Sequence, residues 1–163
     1  LISGCSHKGI QNIMEWFECK VRYDKTMENG LSKQVTETYL VDALSFTEAE
    51  RRFIEEIEPF MGGEFTVTDI RRTKIAELFE SNDGLADRWF KCKVAFITLD
   101  EKTGAEKRAN QMMMVQAIDL RDAVKALDKA MEGTLGDYVI VSVAESPVMD
   151  VYRYKLADDD QQG

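Results

Sequence analysis

The sequence predicts an α+β fold made of a duplicated ββαβ unit. Three observations carry that prediction. WFECKV at 16–21 returns as WFKCKV at 89–94, with one letter changed. The stretches following each copy alternate apolar and polar side chains, which is the period of a half-buried strand. Each half then carries one apolar stripe at helical spacing behind a capping residue.

The likeness extends past the hexapeptides. YLVDALSFTEAERRF from Tyr39 lies over MMVQAIDLRDAVKAL from Met113, placing Val41 on Val115, Ala43 on Ala117, Ala49 on Ala123 and Phe53 on Leu127. Phe65-Thr66-Val67 then falls on Tyr138-Val139-Ile140. The two shifts of register between these blocks fall in expected loops, as in a duplicated unit.

In chain order, the first strand covers 16–24. Phe17, Cys19, Val21 and Tyr23 share one face, and Trp16, Glu18, Lys20 and Arg22 the other. Asn29-Gly30 turns the chain, and 34–42 returns as a second strand. Ser45 caps a helix, with Glu48 completing a capping box. Phe46, Ala49, Phe53, Ile57 and Phe60 form its stripe; Pro59 weakens the last turn and Gly62-Gly63 end it. Residues 64–80 read as one long, bent third strand. SNDGLAD from Ser81 is a linker. The second unit repeats the order: strand 88–99, turn 102–104, strand 107–116, then an Asp119-capped helix bearing Leu120, Ala123, Val124, Leu127 and Met131. Gly133 and Gly136 end that helix, and 137–154 is the last long strand, bulged or broken at Pro147. The expected organisation is a leader at 1–13, a repeat at 14–80, a linker at 81–87, a repeat at 88–155 and a disordered acidic tail at 156–163. Met14 is the expected natural start. One unit alone buries little surface. The two are therefore expected to form one pseudo-twofold domain, with antiparallel sheet and both helices on one side.

Composition narrows the chemistry. Among 163 residues, 21 Lys and Arg face 30 Asp and Glu, for a net charge of -9, which argues against wholesale wrapping by nucleic acid. The three cysteines lack CxxC spacing and make no disulfide framework. The single histidine, His7, leaves the body of the chain without one for acid–base work or a zinc site. No apolar run is long enough to span a bilayer. The expected location is cytoplasmic. A minor alternative is a lipid anchor on Cys5, because Leu1-Ile2-Ser3-Gly4-Cys5 resembles a lipobox.

WFECKVRYDKTMENG, TETYLVDALSFTEAE, GEFTVTDIRRTKIAELF, DRWFKCKVAFITLDEKTG and AIDLRDAVKALD together resemble domain of unknown function family 4494, over Glu15 to Tyr154. The resemblance implies a protein of gut bacteria and their phages, with a mobile-element setting. It brings no catalytic residues.

The residues themselves point to binding rather than catalysis. Cys19 and Cys92 sit at equivalent places on the apolar strand face, where packing is the expected role. The glutamates of the first helix read as a solvated face. No catalytic residue, metal site or cofactor is expected. The face opposite the helices carries Trp16, Lys20 and Arg22, then Trp89, Lys91 and Lys93, with Arg71, Arg72 and Lys74 from the third strand. Rings among cations suit single-stranded nucleic acid, since bases stack and phosphates pair. The same face carries Met112, Met114, Val139, Val141 and Val143, which suits self-association or packing between the units. The expected function is a non-enzymatic binding protein that self-associates as a homo-oligomer. The alternative is an enzyme or small-ligand protein with a pocket between the repeats.

Overall fold

The computed structural model describes residues 14–154, so Cys5, the expected leader and the acidic tail lie outside the described residues. It has eight strands in two four-stranded sheets and two α-helices, an α+β fold. The elements are β1 (Glu15–Thr26), β2 (Ser32–Ala43), α1 (Phe46–Ile57), β3 (Phe65–Arg72), β4 (Ile75–Phe79), β5 (Arg88–Leu99), β6 (Glu106–Ala117), α2 (Leu120–Ala130), β7 (Asp137–Ser146) and β8 (Val148–Tyr152).

Local chemistry accounts for the elements. β1 and β2 form an antiparallel hairpin from Glu15↔Ala43 to Thr26↔Ser32. Gly30 closes it at φ 81, a left-handed conformation that only glycine takes cheaply. Ser45 caps α1 by accepting the Glu48 N–H at 3.2 Å, and the Glu48 carboxylate accepts the Leu44 N–H. Asp119 and Asp122 repeat both bonds at the start of α2, to the N–H groups of Asp122 and Ile118. Pro59 falls in a 3-10 turn, Glu58–Phe60, that finishes α1.

The two cores match residue for residue. In the first, Phe17, Cys19, Val21, Val41 and Ala43 of β1 and β2 pack with Ala49, Phe53 and Ile57 of α1. In the second, Phe90, Cys92, Val94, Val115 and Ala117 of β5 and β6 pack with Ala123 and Leu127 of α2 and with Met131 at its end, joined by Met113. A bulge interrupts β1 against β3 between Lys20 and Val21, and another interrupts β5 against β7 between Lys93 and Val94. These are the same letters of the repeated hexapeptide.

The expected break at Pro147 is present, between β7 and β8. The stretch 64–80 needs correction: it is two strands, β3 and β4, not one. In both stretches the second piece joins the other sheet. The first sheet runs β3-β1-β2-β8 and the second β4-β6-β5-β7. The second sheet is therefore mixed, because β4 lies parallel to β6. The compact units follow this exchange rather than the sequence repeat. One comprises 14–73 with 150–154 and the other 74–149.

The breaks have local causes. Thr73 donates both its N–H and its hydroxyl to the Trp16 carbonyl, at 2.9 and 2.7 Å, and ends β3 there. Its counterpart Ser146 is paired with Trp89 and is followed by Pro147, which has no N–H to continue a ladder. Each exchanged strand is then tied at its far end. Tyr154 N–H, two residues beyond β8, donates to Asp42 Oδ1 at 2.6 Å. Ser81 N–H, two residues beyond β4, donates to Gln116 Oε1 at 3.0 Å. Asp42 and Gln116 are the cross-strand partners of Trp16 and Trp89.

Candidate functional site

The sheet face opposite α1 does not present the sequence-predicted residues as one basic, aromatic surface. Trp16 is 7% and Trp89 2% exposed within a single chain, so neither ring is open to a base. The Arg153 guanidinium lies 5.2 Å from the Trp16 ring centre. Lys20, Arg71 and Arg72 of the first sheet also have acids beside them. Lys20 pairs in register with Asp69 on β3, and Glu18 with Arg71. Arg71 donates to Asp69 at 3.2 Å, and Arg72 forms an ion pair with Glu15. Arg72 turns to the helix face, its guanidinium 5.2 Å from the Phe46 ring centre and 5.8 Å from that of Phe17. Arg22 is exposed, and Lys74 falls in the break between β3 and β4. In the second sheet Lys91 neighbours Met114 and Ala144, and Lys93 neighbours Met112 and Ser142. The structure thus brings together Lys20, Arg71 and their acids, but not the tryptophans with free cations.

A different feature of the first unit is open. β3 is the end strand of its sheet, and among the described residues no strand pairs with its outer edge. Beside it runs a groove of about 580 Å³, lined by Phe46, Glu50, Arg51 and Ile54 of α1 and by Val67, Thr68, Asp69 and Ile70 of β3. Register decides which backbone groups face outward. Thr73 N–H bonds inward to Trp16, so by the alternation of an antiparallel ladder Asp69 and Arg71 also face inward. Ile70 and Arg72 therefore point their N–H and C=O groups outward. Arg51 is held by Glu55 at 3.2 Å. Sequence reasoning placed 70–72 inside one continuous strand and so missed that this edge stands beside a groove.

A family model described as Domain of unknown function (DUF4494) matches residues 15–154. The chain belongs to that family. No curated protein matches it.

The interior of this DUF4494 chain holds two free thiols, Cys19 and Cys92, both buried. Burial pushes Cys19 up to about 12, helped by the negative charge of Glu18 and Asp69, and pushes Cys92 up to about 11. At neutral pH both are protonated packing groups, not nucleophiles. The most buried ion pair among the described residues is equally structural: Arg52 holds the Asp42 carboxylate at 3.0 Å and also donates to the Asp42 carbonyl. The Tyr154 ring covers the guanidinium, 5.2 Å from its centre. Among the described residues, no helix of the DUF4494 chain is long and apolar enough to cross a membrane.

Proposed function

We propose that this chain is a non-enzymatic binding protein that takes an extended polypeptide segment onto the open edge of its first sheet. It would act in the phage or mobile-element setting that the family resemblance implies. The observation that carries this is the coincidence of an unpaired edge at β3 with the groove against α1. Strand addition uses such a pairing. The backbone of the added strand satisfies the outward groups of the edge, and alternate side chains drop against the neighbouring helix. Here the outward groups belong to Ile70 and Arg72, and the groove offers Phe46, Ile54, Val67 and Ile70 to apolar side chains. The buried tryptophans and acid-matched cations of the first sheet lend less support to a single-stranded nucleic acid partner.

The test is selection from a displayed library of eight-residue peptides, with wild type as target and Ile70→Pro as counter-target. Proline at Ile70 removes an outward N–H and no bond of the ladder with β1. Ile70→Val, which keeps the N–H, is the folding control. Enrichment of alternating, β-branched sequences on wild type and Ile70→Val, lost on Ile70→Pro, supports the reading. Equal recovery on all three, or none on wild type, overturns it.

A further inference from the structure

The strand that fits the β3 edge is β3 itself. We propose that two copies of this chain pair β3 against β3, antiparallel, about a two-fold axis at Ile70. This rests on the strand-addition reading above and names the occupant of that edge.

Three features favour a second copy. The first is backbone phase. Ile70 faces its N–H and C=O outward, so with Ile70 opposite Ile70 each copy donates one N–H to the other and accepts one. An axis at Asp69 or Arg71 would also complete the ladder, as a non-hydrogen-bonded pair, but would set like charge opposite like charge. The second is charge. The register centred on Ile70 sets Asp69 of each copy opposite Arg71 of the other, in the closer-spaced type of pair. The two-fold makes this contact of opposite charge twice. Arg71 is 69% and Asp69 37% exposed at the side chain, so both can be reached. The third is apolar cover. Ile70 lines the groove from the floor, and directly opposed residues of an antiparallel pair lie on one face, so each Ile70 would cover the other on the α1 side.

The other long edge is less suited. β7 is also an end strand, with Val139 and Val141 exposed. Centred on Val143, the counterpart of Ile70, pairing with its own copy would set Ser142 opposite Ala144 and Val141 opposite Glu145, with no contact of opposite charge. At β3, the bulge after Lys20 limits the regular run to 69–72, so the pairing is short and the dimer weak.

Sedimentation velocity across a concentration series, from low to high micromolar, tests the proposal. Wild type is expected to shift from monomer to dimer. Asp69→Arg places two arginines opposite each other, and Arg71→Asp two aspartates. Each variant alone is expected to dimerise at least about ten-fold more weakly. An equimolar mixture of the two restores opposite charges in both contacts and should recover the dimer. That rescue in trans is not available to a variant that has merely lost its fold. A wild type that stays monomeric overturns the proposal. So does a dimer indifferent to either substitution, or one that the mixture fails to restore. Failure here with successful peptide selection leaves the open edge as a site for a different partner; failure of both removes the edge from consideration.

Discussion

Single residues divide the chain's chemistry into groups that pack and groups that pair. Cys19, Cys92, Tyr23 and Tyr152 all have proton affinities raised in the folded chain, chiefly by burial: to about 12, 11, 12 and 12. Their ordinary values are 9.0 for the thiols and 10.0 for the phenols, so above that range the unfolded chain releases protons that the folded chain keeps. The stabilisation is thus complete below pH 9 and is lost as pH rises toward 12. Urea midpoints should be flat from pH 7 to 8.5 and fall steadily above it. At pH 8, Cys19 and Cys92 should stay unlabelled by Ellman's reagent until urea is added, as read by mass spectrometry of their peptides. The Asp42–Arg52 pair carries a second expectation. Removing one partner strands the other in a half-dry site, so Arg52→Ala should cost about 3 kcal/mol in urea unfolding. The matched unit has Gln116 and Ala126 at these places. Asp42→Gln with Arg52→Ala should therefore cost less than Arg52→Ala alone.

At the scale of elements, the caps and the exchanged strands matter most. Ser45→Ala and Asp119→Ala each remove the acceptor for a first-turn N–H, at about 1 kcal/mol. Both should lower the urea midpoint without changing the slope. β8 is short and comes last in the chain, yet it lies beside β2 in the first sheet. Ending the chain at Pro147 should accelerate amide exchange across 39–43 in β2, far away in sequence. The matching stretch of β6, 113–117, keeps both neighbours, β4 and β5, and should change little.

On the scale of the whole molecule, the exchange means that neither sequence repeat contains its own complete sheet. A fragment of 14–80 holds β4 without β6, and a fragment of 88–154 holds β8 without β2. Each is also short of the surface a stable unit must bury. Circular dichroism should show little structure in either fragment alone. An equimolar mixture should regain the strand signal and blue-shifted tryptophan emission, because Trp16 and Trp89 are buried in the intact chain.

The sequence by itself determined the elements that answer to near neighbours. Alternation wrote β1, β2, β5 and β6; Ser45 and Asp119 set the helix starts; glycines marked the turns; and the repeated hexapeptide announced two equivalent cores. Those features depend on backbone geometry within a few residues, and so they are legible in one chain. Tertiary structure alone decided where the ends of 64–80 and 137–154 went. A strand that breaks at Thr73 or Pro147 carries no local mark of which sheet it will enter, because the destination is set by an open ladder more than thirty positions away in the chain. It also decided the site. Alternation put Trp16, Lys20 and Arg22 on one face, but only the packed chain shows the rings buried and Lys20 in register with Asp69 of β3. The same packing left β3 at the end of its sheet beside a groove, with the backbone groups of Ile70 facing out.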